Sequence, residues 1–193
     1  MKGTRWLDED EFVRLYRWLE CPDTPVHPPY TRAVRLIMLT GQRVQEIAGL
    51  HIDQWDAKEK IIDWSRTKNE QPHSVPVPSL AAELLASINV NEYGWFFPSA
   101  HDPSKPVSHG TLYSFMWRQR DRGVIPYVTN RDLRRTFKTL AGKAGVPKEI
   151  RDRLQNHALQ DVSSKHYDRW NYMAEKRAGM AKWDKFVRAM LEK

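Results

Sequence analysis

Residues 51–78, HIDQWDAKEKIIDWSRTKNEQPHSVPVP, differ in pattern from the rest of the chain. They alternate between apolar and polar side chains, are rich in Ile, Val and Trp, and contain polar turn segments at 56–59 and 68–71. This pattern predicts a small antiparallel sheet of about three strands. Because the sequence on both sides has helical spacing, we expect an α+β fold that is mainly α-helical.

The sequence on both sides of the sheet predicts a series of helices. Before the sheet, helices are expected over 5–20, with Trp6 on the apolar face, over 30–41, ending at Gly41, and over 42–50. A proline-rich loop should span 21–29. After the sheet, Ser79 is the predicted cap of the next helix. Further helices are expected over 108–123, 130–145, 147–157, 161–170 and 173–193.

Composition limits the class of protein. The chain has 193 residues, a net charge of +7 and a pI near 9.5, which suits one domain and favours a polyanionic partner, although many basic proteins bind none. Cys21 is the only cysteine, which excludes an internal disulfide and a cysteine-rich zinc site. No apolar run approaches 20 residues, and no signal-peptide pattern is present. We therefore expect a soluble, cytoplasmic protein without a membrane segment.

Several single residues could carry chemistry, but each has an ordinary alternative. Arg43 and Glu46 lie three apart on a predicted helix, so they form either a surface ion pair or an arginine held rigid for a phosphate. Lys68, in a predicted turn, is either solvated or delivers an ammonium group into a groove. His157 at a helix end and Tyr167 are equally ambiguous when taken alone.

The order of these residues is more informative than any one of them. The stretches TGQRVQEIAGL (40–50), TKNEQPHSVPVP (67–78), RDLRRTFKTLA (131–141) and LQNHALQDVSSKHYDRW (154–170) follow one another. Together they resemble the two arginine boxes, the lysine hairpin and the His-to-Tyr segment of the tyrosine recombinase (phage integrase) catalytic domain. The resemblance covers nearly the whole chain. The His-to-Tyr segment and the residues that follow it are most similar to integrases of satellite prophages and genomic islands.

The resemblance implies a fold and a reaction. The fold would be that of a tyrosine recombinase catalytic domain, and the reaction a metal-independent transesterification of DNA phosphodiester bonds. Tyr167 would be the nucleophile and form a 3′-phosphotyrosyl link. Arg43 and Arg134 would bind the non-bridging oxygens, Lys68 would protonate the leaving 5′-oxygen, and His157 would hydrogen-bond the phosphate or assist proton movement. No cofactor and no metal would be required.

The arginine cluster TNRDLRRTF (129–137) departs from the family pattern at one position. Arg134 matches the second catalytic arginine, and Arg131 stands where the family usually has histidine. Arginine is effectively always protonated, so we expect Arg131 to bind phosphate rather than act as a general base. Arg135 should point elsewhere and pair with Asp132. A DNA phosphate between the side chains would relieve their repulsion.

The His-to-Tyr segment departs from the pattern in two further ways. Asn156 precedes His157 where the family mostly has glycine, and asparagine tolerates the same left-handed backbone. The interval from His157 to Tyr167 is one residue longer than is common. Tyr172 is therefore the competing candidate for the nucleophile.

The whole chain, 1–193, is expected to be a single catalytic domain, without the family's N-terminal arm-binding and core-binding domains. It would be either an excised domain or a naturally truncated chain. Its reaction would integrate or excise a prophage or genomic island (viral genome integration) in a bacterial host. The partners implied are double-stranded DNA attachment sites, a homotetramer on DNA, an excisionase and a host DNA-bending protein. The isolated domain would be a monomer.

Two alternatives to this function stay open at this level: a nicking-closing enzyme like type IB topoisomerase, and a catalytically silent DNA-binding remnant. The tail also has two readings. Met180, Trp183, Val187 and Met190 form an apolar stripe that would either dock on a neighbouring protomer or pack on its own domain.

Overall fold

The computed structural model describes residues 4–65, 72–157 and 171–193. In these ranges a three-stranded sheet is inserted between helices. The elements are α1 (Glu9–Glu20), α2 (Pro28–Thr40), α3 (Val44–Ala48), a 3-10 turn (Ile52–Gln54), β1 (Trp55–Asp56), β2 (Ile61–Trp64), β3 (His73–Pro76), α4 (Ser79–Ala86), α5 (His109–Asp121), α6 (Asn130–Lys143), α7 (Lys148–Leu154) and α8 (Met173–Leu191).

The sheet confirms the predicted fold class. Its strands run antiparallel in the order β1-β2-β3, and Ile62 pairs with both Trp55 and Val75. Ile62 and Val75 are fully buried, so one face of the sheet lies on the helical core, as the alternating pattern requires. The predicted turn at 68–71 lies outside the described residues.

Helix α2 runs through the centre of the core, and it contacts α1, α3, α4, α5 and α6. It ends at Gly41 as predicted, where φ is +65° and the amide donates to the Ile37 carbonyl at 2.8 Å. A Cβ on Gly41 would lie 2.3 Å from Cδ1 of Phe137. The end of α2 and the middle of α6 can therefore approach this closely only because residue 41 is glycine.

Helix α8 packs on its own domain, the second of the two alternatives for the tail. Met180, Trp183, Val187 and Met190 are buried. The Trp183 indole N–H donates to the Leu39 carbonyl at 2.8 Å, which satisfies the one polar atom of a fully buried ring. The tail is thus part of the core of the described chain.

The helix prediction was wrong in several details: α3 and α7 are shorter than expected, and three helix starts differ. Helix α1 begins at Glu9 because Asp8 and Glu11 form a capping box, so Trp6 precedes the helix and is 40% exposed. Pro28 begins α2 instead of extending the loop, as proline favours the first turn. Ser79 is the first residue of α4 and makes no capping bond. The helix expected over 161–170 lies outside the described residues. None of the helices that the structure describes could cross a membrane.

Candidate active site

Arg43 lies at the start of α3, where its backbone is extended and its side chain is held on two sides. Its Nη1 donates to Glu46 Oε1 at 2.8 Å, and its own amide donates to Glu46 Oε2 at 3.1 Å. Its Nη2 donates to the Asn156 carbonyl at 3.1 Å. The predicted Arg43–Glu46 pair is therefore confirmed, and it is largely buried rather than a surface pair.

Arg134 lies one turn into α6 and donates to two backbone carbonyls. Nη1 reaches the Gly41 carbonyl at 2.9 Å, and Nη2 reaches the Gln155 carbonyl. Burial, together with the neighbouring charge of Arg43, lowers the pKa of Arg134 to about 10. Two guanidinium groups are thus held close together, with Glu46 as the carboxylate that offsets them. Such an arrangement favours binding of an anion.

Three successive carbonyls at the end of α7 accept bonds from different parts of the chain. The Leu154 carbonyl accepts from Gln42 Nε2 at 2.8 Å, the Gln155 carbonyl accepts from Arg134, and the Asn156 carbonyl accepts from Arg43. We call Arg43 and Arg134, with these last two carbonyls, the arginine clamp. The clamp joins both arginine boxes to the backbone immediately before His157.

Three buried polar side chains support the clamp, and sequence analysis missed all of them. They are Gln42, His73 and Gln155, which we call the supporting network. Gln155 donates to the Gly41 carbonyl at 3.2 Å and to the Arg134 carbonyl at 2.8 Å. Their only sequence signal is their position inside the quoted motifs, because a buried polar residue has no hydrophobic periodicity.

His73 connects the sheet to this network. Its Nε2 lies 3.2 Å from both Gln42 Oε1 and the Leu154 carbonyl. Since both neighbours are acceptors, Nε2 carries the proton. Burial lowers the pKa of His73 to about 3, assisted by the Lys176 charge. His73 is therefore neutral and ties β3, the strand that follows the Lys68 segment, to the end of α7.

His157 follows a left-handed Asn156, with φ of +47°, as predicted for that position. Its ring is partly exposed, and Nδ1 lies 3.4 Å from Lys138 Nζ and 3.6 Å from Asp152 Oδ1. Burial, together with the charges of Arg134 and Lys138, lowers the pKa of His157 to about 4. The imidazole is therefore neutral at physiological pH and can both donate and accept a hydrogen bond.

Arg131 differs from the clamp arginines. Its side chain is exposed, and among the described residues it makes no hydrogen bond or ion pair. Arg135 pairs with Asp132 at 2.6 Å, as predicted, while the other Asp132 oxygen accepts from the Thr129 hydroxyl and completes the cap of α6. Within the described chain, therefore, no side chain competes with a ligand for Arg131.

Lys68 and Tyr167 lie outside the described residues, so the structure brings together Arg43, Arg134 and His157 only. Tyr172, the competing nucleophile, lies beneath Arg153, whose guanidinium carbon is 3.4 Å from the ring centroid. Among the described residues, no group of His, Cys, Asp or Glu could hold a metal ion.

Comparison with known proteins yields matches over nearly the whole chain. Residues 5–172 match the model of the phage integrase family. The chain is 27% identical over 166 residues to prophage integrase IntF of Escherichia coli (strain K12), covering 81% of this chain and 34% of that protein. The chain thus spans about a third of the length of this curated relative.

Solved structures share the fold. The integrase from mycobacterium phage Brujita matches with a TM-score of 0.73 at 16% identity, covering 100% of this chain and 65% of that one. The lambda integrase tetramer bound to a Holliday junction matches with a TM-score of 0.65 at 19% identity, covering 84% and 49%. At these identities the likeness concerns the fold alone.

Proposed function

Because the chain belongs to the phage integrase family, we propose that it cleaves and rejoins DNA strands through a covalent 3′-phosphotyrosyl intermediate. The observation that carries this proposal is the arginine clamp. Arg43 and Arg134 are fixed before any substrate binds, since each donates to a carbonyl at the end of α7. Donors that are already in place stabilise charge on a transferring phosphoryl group without reorganisation.

In the proposed reaction the Tyr167 phenol loses its proton to solvent with the assistance of neutral His157, its oxygen attacks phosphorus, and the bond from phosphorus to the 5′-oxygen breaks. The 3′-phosphate becomes linked to tyrosine, and the leaving 5′-oxygen takes a proton from Lys68. Rejoining is the reverse, in which a 5′-hydroxyl attacks the phosphotyrosine. The bond energy is kept in the covalent link, so no water and no external energy source enter the reaction.

His157 and Arg131 have auxiliary roles in this proposal. A neutral His157 can hydrogen-bond the phosphate or help to move the tyrosine proton, and its lowered pKa supports the neutral form. Arg131 donates to a phosphate oxygen, because a guanidinium retains its proton at any physiological pH.

The proposed substrates are double-stranded attachment sites of a prophage or genomic island, on which the protein would act as a homotetramer. The net charge of +7 supports a polyanionic partner. Excisionase and a host DNA-bending protein are the proposed accessory partners, and the bacterial cytoplasm is the proposed location.

The covalent adduct is the direct test of the proposal. The protein is incubated at high concentration with nicked suicide duplexes, from which the short 5′-hydroxyl strand diffuses away after cleavage. We expect a detergent-stable protein–DNA adduct from the wild type and none from Tyr167→Phe. Relaxation of supercoiled plasmid without exchange of strands would indicate a nicking-closing enzyme instead.

Tyr172→Phe is the matched control, because it removes the competing hydroxyl and keeps the ring that packs beneath Arg153. It should form adduct as the wild type does. Adduct from Tyr167→Phe, or its loss in Tyr172→Phe alone, would contradict the assignment of the nucleophile. No adduct from the wild type would favour the silent DNA-binding remnant.

A further inference from the structure

Lys138 lies one turn beyond Arg134 on α6, and its ammonium group contacts His157. Arg131, Arg134 and Lys138 follow one another at spacings of three and four residues, so they share one face of the helix. The Lys138 Nζ lies 3.4 Å from His157 Nδ1 and also donates to Asp152 Oδ1. The proposed reaction uses the imidazole and gives no role to the lysine beside it.

Asp152 on α7 lies at the same edge of the His157 ring. The His157 amide donates to the Asp152 carbonyl at 3.0 Å, which keeps the two residues together. Asp152 Oδ1 lies 3.6 Å from Nδ1, which is too far for a hydrogen bond and farther than Lys138 Nζ. That carboxylate oxygen already accepts from the Lys138 ammonium. Of the two groups that face Nδ1, the ammonium is therefore its hydrogen-bonding partner.

An ammonium group decides the tautomer of a neutral imidazole that it touches. It has three N–H donors and no lone pair, so the Nδ1 of His157 has to be the acceptor. Burial lowers the pKa of His157 to about 4, together with three neighbouring cations, Arg134, Lys138 and Arg43. The Asp152 carboxylate opposes them, and the ring is neutral at physiological pH. A neutral imidazole carries a single proton, which then lies on Nε2.

We propose that Lys138 is a positioning residue for His157: it holds Nδ1 as an acceptor, so that Nε2 carries the proton and acts as a donor. The catalytic consequence rests on the proposed function, in which His157 either hydrogen-bonds the phosphate or helps to move the tyrosine proton. A ring with Nδ1 bonded to Lys138 and a proton on Nε2 has no lone pair to offer. His157 therefore assists the attack as a donor to a phosphate oxygen, and the Tyr167 proton reaches solvent without passing through the ring.

The tautomer is measured by nitrogen NMR on the DNA-free protein, labelled at histidine, at about pH 7. A protonated ring nitrogen resonates far from an unprotonated one, and His157→Gln identifies the His157 signals by their loss. We expect the wild type to carry the proton on Nε2. A proton on Nδ1 in the wild type overturns the proposal without the need for a further variant.

Lys138→Met removes the ammonium group and keeps an unbranched side chain. The Asp152 carboxylate, which only accepts, then faces Nδ1 alone. The proton should move to Nδ1, and the pKa of His157 should rise to about 5 or higher, because a neighbouring positive charge is lost. Lys148→Met is the matched control, since Lys148 is exposed at the first residue of α7, and it should leave both properties unchanged. An unchanged tautomer in Lys138→Met overturns the proposal.

Adduct formation on suicide DNA separates positioning from a merely structural role. Lys138→Met should slow it about tenfold, because Nε2 then presents a lone pair to the phosphate. His157→Gln supplies an amide donor in place of the Nε2 proton, and this donor does not depend on residue 138. In the His157→Gln background, Lys138→Met should therefore change the rate less than about twofold. An equal loss in both backgrounds would mean that Lys138 acts independently of His157, and it overturns the proposal.

The tautomer measurement needs neither DNA nor the nucleophile, so Tyr167→Phe should show the wild-type signals. If the wild type forms no adduct but its tautomer changes in Lys138→Met, strand cleavage is refuted and the positioning role of Lys138 stands. If adduct forms and the tautomer does not change, strand cleavage stands and the positioning role is refuted.

Discussion

Arg131 and Arg134 lie one turn apart on the same helix, yet their surroundings differ. Arg134 is half-buried and donates to the carbonyls of Gly41 and Gln155, whereas Arg131 is exposed, with no partner in the described part of the chain. Ordering a free arginine side chain costs up to about 2 kcal/mol of rotamer entropy. Arg134 has lost this freedom during folding, and Arg131 would lose it on binding. If the proposed function is right, we expect the fixed donor to contribute more to strand cleavage than the exposed one.

Replacing Arg134 should have the largest effect. Arg134→Ala removes a preorganised donor from the transition state, so the rate of adduct formation should fall on the order of 10²–10³-fold. The rate is measured on suicide DNA under single-turnover conditions. Arg135→Ala is the matched control: it removes the adjacent arginine, which pairs with Asp132, and should change the rate less than about twofold, about 0.4 kcal/mol. If Arg134→Ala and Arg135→Ala slow adduct formation equally, Arg134 does not have the special role that the clamp assigns to it.

Gln155 tests whether the clamp depends on its supporting network. The side chain is 1% exposed and donates to the Gly41 and Arg134 carbonyls. Gln155→Ala should lower the free energy of unfolding by about 1–3 kcal/mol, because it leaves buried acceptors short of a donor. Adduct formation should slow about tenfold, about 1.4 kcal/mol, since Arg134 is held less firmly.

Denaturant unfolding and the suicide-DNA assay measure the two effects of Gln155→Ala. Gln45→Ala is its control, because Gln45 is exposed on α3, and its unfolding free energy should change by less than about 0.5 kcal/mol. If Gln155→Ala is less stable but forms adduct at the wild-type rate, the supporting network contributes to stability and the clamp does not depend on it.

His73 should make the stability of the folded protein depend on pH. Its pKa is lowered to about 3 in the folded protein, from about 6.5 when unfolded. Below pH 6.5 the unfolded chain therefore binds a proton that the folded chain does not, and stability falls as the pH falls. The contribution is at most about 1.4 kcal/mol per pH unit.

His73→Gln removes this titrating group and keeps a donor for the Leu154 carbonyl. Urea unfolding at pH 7, 6 and 5 should show a shallower loss of stability in the variant than in the wild type. Parallel pH profiles would mean that His73 becomes protonated without unfolding.

Arg131 should give the smallest effect. Arg131→His restores the residue that the family usually has there, and cleavage should stay within about tenfold of the wild type, a barrier change of about 1.4 kcal/mol. The suicide-DNA assay checks this at several salt concentrations, with Arg131→Ala beside it. If Arg131→Ala slows adduct formation as much as Arg134→Ala does, an exposed arginine contributes as much to the rate as a fixed one.

Local patterns predicted most of the fold because each has a local physical cause. The alternation over 51–78 reflects a sheet with one buried face, and Gly41 ends α2 because glycine adopts a left-handed backbone without strain. The errors occurred at helix starts, where Asp8 and Pro28 favour a boundary that spacing alone does not specify. The two alternatives for the tail could be separated only by the packing of Trp183 against α2.

The candidate site shows the same contrast between local sequence patterns and tertiary contacts. The sequence motifs predicted the family, the order of the chemical groups and the Arg43–Glu46 and Arg135–Asp132 pairs, since residues three apart on a helix share a face. The tertiary contacts show that Arg134 is fixed, that Arg131 has no partner within the described residues, and that Gln42, His73 and Gln155 support the clamp. These properties depend on backbone carbonyls and on burial, which bring together segments about 20 to 110 residues apart. No local sequence pattern records such distant contacts.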